Sequence, residues 1–166
     1  MTAPFFTVWI STRNAWPFIG GCLRSLLSQT FTDWEAIFID DASDDGTFEE
    51  ARAAAGDDPR ITLISNTYRV RQVGAFLQAF PQMRGDVIVE LDGDDRFCSV
   101  DALAQIKACY DADSEVDATS GRNRTTSGFE SLPWKGSRSP EIRFQDRAAS
   151  MCAPRSWKRS LMARIM

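Results

Sequence analysis

Short apolar runs alternate along the chain with longer stretches in which apolar residues recur every three or four positions. Residues 5–10, 34–40, 61–64 and 87–91 have strand length and are rich in β-branched and aromatic residues, so each is expected to form a strand. Between them lie helical patterns. Pro17 suits a first helical turn, and Phe18, Cys22, Leu23, Leu26 and Leu27 follow on one stripe. Phe48, Ala51 and Ala55 mark a second helix, capped by Asp45 or Thr47. A third is expected over residues 70–80 with Val73, Phe76, Leu77 and Phe80 inward, and a fourth over residues 100–110 with Ala102, Leu103, Ile106 and Tyr110 at helical spacing. Gly20 and Gly21 weaken the first helix and are read as places of close packing on a sheet. Strand–helix alternation predicts an α/β fold: a mostly parallel, Rossmann-like sheet with helices on both faces.

The pattern fades beyond Gly121. Residues 116–120 read as one more strand, residues 121–140 as loops, and residues 156–166 as a basic amphipathic helix with Trp157, Leu161 and Ile165 four apart. The 166 residues suit a single domain. Residues 135–166 hold eight Lys/Arg and two Asp/Glu, a balance of +6, which leaves −10 on the rest of a chain whose net charge is −4. Such a tail is read first as a solvated helix face and second as a contact for an anionic membrane surface. No nucleic-acid partner is expected.

Histidine is absent, which excludes His-based catalysis and His metal ligands. Cys22, Cys98, Cys109 and Cys152 lie far apart with no CxxC pair, so free thiols are expected, in a cytoplasmic setting. The N-terminus lacks signal-peptide features, and no run approaches bilayer-spanning length.

The strand at 87–91 ends in Asp92, Asp94 and Asp95, three carboxylates within four positions. Like charges so close are costly unless a cation joins them, and Asp oxygens suit Mn2+ or Mg2+. The plainer reading is a solvated acidic turn. Right-handed crossovers would bring this tip to one sheet edge with the Ser11–Thr12–Arg13–Asn14 turn and the acidic turn from Asp40 to Gly46. The latter is no EF-hand: with Asp41 at position 1, position 12 is Arg52 where a bidentate Glu is required. GxGxxG and GxxxxGK[ST] are both missing from the chain.

Four blocks together resemble family 2 glycosyltransferases of the GT-A fold: Ile10-Ser11-Thr12-Arg13-Asn14, the run from Leu26 to Glu35, the run from Ile39 to Thr47, and Gly85-Asp86 through Leu91-Asp92-Gly93-Asp94-Asp95. The resemblance covers residues 5–112 as a nucleotide-sugar-binding half and residues 113–166 weakly, as part of an acceptor side. It implies that Ser11 and Arg13 line a nucleotide pocket, that Asp41 accepts from a uracil N3–H, and that Arg71 approaches the nucleotide. It further implies that Asp94 faces the ribose or sugar, and that Asp95 ligates a divalent metal with Asp92 completing the DxD pattern. The implied reaction is metal-dependent, inverting transfer of a sugar from a UDP-linked donor to a glycan or other hydroxyl acceptor.

This chain departs from the family pattern at the catalytic base, which belongs to an acidic motif beyond the DxD. Glu141 and Asp146 are the only acids after Glu130, and neither has a matching context. The alternative is therefore a remnant that binds nucleotide without turnover. A nucleotidyltransferase is disfavoured because Ser-Thr-Arg-Asn, not a Gly-rich loop, follows the first strand. A missing acceptor half would expose apolar residues such as Trp157 and Leu161 and favour self-association.

Overall fold

The computed structural model describes residues 3–112 and 161–165. Five strands form one sheet in the order β3-β2-β1-β4-β5. They are β1 (Phe6–Thr12), β2 (Trp34–Asp40), β3 (Ile61–Ser65), β4 (Val87–Leu91) and β5 (Leu161–Ile165). Every pairing is parallel, as the strand–helix alternation requires. The helices are α1 (Trp16–Leu27), α2 (Thr47–Ala55), α3 (Arg71–Ala79) and α4 (Ala102–Ala112), with a short 3-10 turn at Phe80–Gln82.

A central parallel strand has both faces covered, and β1 and β2 carry long buried runs for that reason. Alternation divides their side chains between two cores. Phe6, Val8, Ile10, Phe38, Val89 and Leu91 pack with Ile19, Leu23 and Leu26 of α1, Ala51 of α2 and Leu103 of α4. Trp9, Ile37, Ile39 and Ile88 pack on the opposite face against Ala75 and Ala79 of α3. Complete burial of one such Leu, Ile or Phe contributes about 1.5–3 kcal/mol.

Three expectations fail here. Val73 and Leu77 are not inward: they are 62% and 65% exposed. α3 lies on the sheet through Ala75 and Ala79, four apart, whose small side chains let the helix approach closely. Phe76 then meets Trp9 edge-on at 5.2 Å. Gly20 packs against the Glu50 side chain of α2 and not on the sheet, and nothing lies within 4 Å of where a Gly21 Cβ would stand. Finally, Leu161–Ile165 is a strand, paired in register Val87↔Leu161 through Leu91↔Ile165, and not a helix. A spacing of four divides equally well into helical turns and strand pleats, so Leu161 and Ile165 could not decide between them. The strand expected at 116–120 and the loops at 121–140 lie outside the described residues. Among the described residues no helix is long and apolar enough to cross a membrane.

The edge opposite the carboxyl ends is locked by a buried polar cluster. Glu35 Oε1 accepts from the Thr7 hydroxyl at 2.8 Å and the Arg84 amide at 2.7 Å, while Glu35 Oε2 accepts from Arg84 Nε at 2.7 Å. The Gly85 amide donates to Thr7 Oγ1 at 2.9 Å. This brings Gly85 against the β1 backbone, where an added Cβ would stand 2.6 Å from the Phe6 carbonyl carbon. Gly85→Ala is expected to cost about 2 kcal/mol or more through this overlap. Gly21→Ala, with open space around its Cβ, should gain roughly 0.5–1 kcal/mol from helix propensity. Denaturant melts of the two variants check the contrast, and equal effects would contradict it.

Candidate functional site

The chain builds β1, β2 and β3 outward in one direction, then returns to place β4 on the other side of β1. The strand order therefore reverses between β1 and β4, and in open α/β sheets ligands bind beyond the carboxyl ends at such a reversal. A cavity of about 290 Å3 lies there, lined by Ser11, Thr12, Arg13, Asn14, Ala15 and Phe18 from the β1 side and by Asp92, Gly93 and Asp94 from the β4 side. Gly93 makes the approach possible: a Cβ there would stand 2.5 Å from Thr12 Cβ.

The β1 and β2 turns are stitched together. Arg13 Nε donates to the Ala42 carbonyl at 3.3 Å, the Asn14 amide to Ser43 Oγ at 2.9 Å, and the Asp44 amide to Asn14 Oδ1 at 3.2 Å. The Trp16 amide donates to Asp45 Oδ2 at 3.1 Å. Buried Asp40 takes the Ser43 hydroxyl and the Ser43 amide, which folds the turn back on the strand end. Asp45 accepts from both the Thr47 amide and the Thr47 hydroxyl. Desolvation pushes the Asp45 carboxyl up, but the Thr47 hydroxyl and the Trp16 and Thr47 amides outweigh it and hold the group below the ordinary carboxylate range. Asn14, Ala42 and Arg71 adopt positive φ (54°, 60° and 62°), all on this rim. Asn tolerates that region; Ala and Arg do so at a cost that the surrounding bonds must hold.

Asp41 is buried, and its carboxylate is engaged by protein. Oδ1 accepts from the Val70 amide at 2.6 Å and Oδ2 from the Arg71 amide at 2.8 Å. It thus closes the first turn of α3, where free amides and the helix dipole favour an anion. Arg69 Nε stands 3.9 Å from Oδ2. The structure therefore brings Ser11, Arg13, Asp92 and Asp94 to one cavity and sets Asp41 and Arg71 beside each other on the neighbouring β2–α3 side. Asp95 lies half-buried in the turn that follows, its amide donating to the Asp92 carbonyl at 2.9 Å.

Beneath the acidic tip lies Cys22 of α1, whose Sγ approaches the Asp92 carbonyl at 3.6 Å. Burial pushes its thiol up to about 12, with the Asp95, Asp94 and Asp92 carboxylates adding to the shift. Among the described residues, no group of three His, Cys, Asp or Glu side chains is arranged to hold a metal ion by itself. The donor set still fits a hard divalent cation of the kind held by one or two carboxylates with the remaining ligands from substrate phosphate and water. The segment after the tip is anchored by buried Gln29, which donates to the Ser25 and Ser99 carbonyls at 3.0 and 2.8 Å and accepts from the Leu103 amide at 3.0 Å.

Sequence reasoning gave no role to Asn14, Arg69, Cys22 or Gln29. Asn14 stood inside a quoted block, and its residue type suits positive φ. For Cys22 the only signal was its place on the apolar stripe of α1.

The sequence model of the family described as Glycosyl transferase family 2 matches residues 7–152. The β-1,3-glucosyltransferase WfgD of Escherichia coli, named for UDP-Glc and α-D-GlcNAc-diphosphoundecaprenol, is 35% identical over 89 residues, covering 54% of this chain and 34% of that protein. Among solved structures, the mannosyltransferase PcManGT of Pyrobaculum calidifontis in complex with GDP-Man and Mn2+ superposes with a TM-score of 0.65 at 27% identity, over 74% of this chain and 37% of that one. TarS 1–349 of S. aureus in complex with UDP-GlcNAc gives a TM-score of 0.66 at 20% identity, over 81% and 37%, a likeness of fold. The chain spans about a third of the length of three of the first four curated relatives it matches and 15% of the other.

One consequence concerns Cys22. Alkylation at pH 8 should label exposed Cys98 first and Cys22 last, and Cys22 should become reactive only as the pH climbs toward 12. Peptide mapping by mass spectrometry checks the order. Cys22 labelled as fast as Cys98 in folded protein would contradict the burial of the thiol under the tip.

Proposed function

The chain belongs to glycosyl transferase family 2 and has the α/β sheet of the GT-A fold, and on that premise we propose that these residues form the donor-binding part of a glycosyltransferase. The observation that carries the reading is the cavity at the strand-order reversal, walled by Ser11 and Arg13 on one side and by Asp92 and Asp94 on the other. A nucleotide sugar suits it. Arg13, with Arg69 and Arg71 on the adjoining rim, supplies cationic groups for a diphosphate, and guanidinium groups pair with phosphate oxygens in planar, bidentate geometry.

Asp95 and Asp92 would hold Mn2+ or Mg2+, which when bound neutralises charge developing on the departing nucleoside diphosphate. Asp94 would face the ribose or the sugar. Asp41 would serve the base: each of its oxygens already takes one amide, and a carboxylate oxygen has a second lone pair to offer a base N–H. Its burial makes that pairing selective, since a base lacking a matching N–H would leave the carboxylate under-satisfied. Uracil offers such an N–H at N3 and guanine one at N1, and between them the uridine-linked donor follows the family resemblance of the sequence blocks. PcManGT binds GDP-Man, so the base is the part of the reading most open to direct test.

Transfer with inversion to a hydroxyl acceptor is the proposed reaction of the whole protein. It needs a base on the face of the sugar opposite the leaving group. Glu141 and Asp146 lie outside the described residues, so donor binding is the step these residues carry. Contact with an anionic membrane surface is proposed from the basic balance of residues 135–166, and association of copies from apolar residues such as Trp157 and Leu161.

Calorimetric titration of UDP and of GDP, each with and without Mn2+, tests the reading alongside Asp95→Ala. UDP should bind in a metal-dependent way, and the variant should bind at least about tenfold more weakly. No binding of either nucleotide under any condition, by protein shown to be folded, would overturn the donor site. Preference for GDP would overturn the uridine assignment alone.

A further inference from the structure

β4 places Val87, Val89 and Leu91 in the core shared with α1 and α4, and Ile88 on the α3 face. By the same alternation Glu90 points to the α3 face and is 8% exposed. In register it stands between Trp9 of β1 and Arg164 of β5, on the face where Ile88 packs with Ala75 and Ala79 of α3. A carboxylate in such a place costs stability unless its oxygens are bonded. One bond goes to Gln72, whose Nε2 donates to Glu90 Oε1 at 2.7 Å.

Gln72 is the second residue of α3. The amides immediately before it, those of Val70 and Arg71, are the pair that Asp41 holds. The first turn of α3 is therefore tethered from two strands by two carboxylates, at a place where Arg71 has a positive φ of 62°. β4 ends one residue past Glu90, at Leu91, and Asp92 and the cavity follow.

We propose that Glu90 is a positioning residue: through Gln72 it holds the first turn of α3, and with it Arg71 and the Asp41 carboxylate, in the geometry that receives the nucleotide. The proposal rests on the donor-site reading above. Removing one partner of a buried polar contact leaves the other without its bond. Here the removal of Glu90 would free the helix terminus from β4 and leave Asp41 as the remaining carboxylate on that turn.

The test compares Glu90→Leu, Glu90→Gln and Gln72→Leu by thermal melting, by titration of UDP with Mn2+, and by hydrogen exchange at the amides of Arg71, Gln72 and Val73. Glu90→Leu, shown by its melt to be folded, should bind UDP about tenfold more weakly. Its first-turn amides should exchange faster. Glu90→Gln keeps an acceptor for Gln72 and should recover most of the affinity. Gln72→Leu should weaken binding as Glu90→Leu does, and the double variant should be no weaker than either. Unchanged UDP affinity in Glu90→Leu, or a Glu90→Gln as weak as Glu90→Leu, would overturn the proposal. If the parent itself binds no nucleotide, the donor-site reading falls, and exchange alone decides the tether: faster first-turn exchange in Glu90→Leu supports it, and unaltered exchange overturns it.

Discussion

Everything at the site depends on β1 being hydrogen-bonded in parallel on both sides, to β2 across one edge and to β4 across the other. Parallel pairing forces the three strands to end on the same side. The reversal of order at β1 forces the chain leaving β2 and the chain leaving β4 to diverge there. Three turns far apart in sequence are thereby pressed onto one rim. Glu35 and Thr7 at the far edge enforce the arrangement from behind, because they bind the segment that enters β4 to both β1 and β2. The register Phe6↔Val87 follows, and with it the height at which Gly93 meets Thr12.

The rim concentrates acid, and the two acidic turns handle it differently. Around β2, Asp40, Asp41 and Asp45 are each neutralised locally by backbone amides or hydroxyls: those of Ser43, of Val70 and Arg71, and of Trp16 and Thr47. These carboxylates shape loops and helix ends, in keeping with the stability of anions at helix N-termini. Around β4, Asp92 and Asp94 line the cavity, and their field with that of Asp95 reaches the thiol of Cys22 beneath. The first group is architecture. The second group walls the cavity, where on the proposed reading Asp92 and Asp95 would hold a divalent cation.

Much of this was legible in the residues. The strand runs at 34–40 and 87–91 agree with β2 and β4, the helices lie where apolar spacing put them, and the common rim follows from alternation and crossover handedness alone. What failed did so for identifiable reasons. Val73 and Leu77 fit a helical stripe, but α3 docks by its small residues because Trp9 and Phe76 fill the remaining space. Leu161 and Ile165 satisfied two periods at once. The motif blocks pointed to Ser11, Arg13, Asp92 and Asp94 as neighbours, and they are. They gave no hint that Asp41 would close a helix or that Glu90 would be buried beneath it. Both facts depend on how α3 sits on the sheet, which no local pattern encodes.

The central claim is that the β4 tip holds a metal-bound nucleotide at the strand-order reversal. Paramagnetic broadening of backbone amide signals tests it most directly, with substoichiometric Mn2+ added to labelled protein carrying saturating UDP. The account predicts broadening centred on Asp92 to Asp95, spreading to Ser11 through Asn14 and to Cys22, and sparing Arg60, Arg84 and Gly85 at the opposite edge. Broadening centred elsewhere, or an Mn2+ response identical with and without UDP, would contradict it.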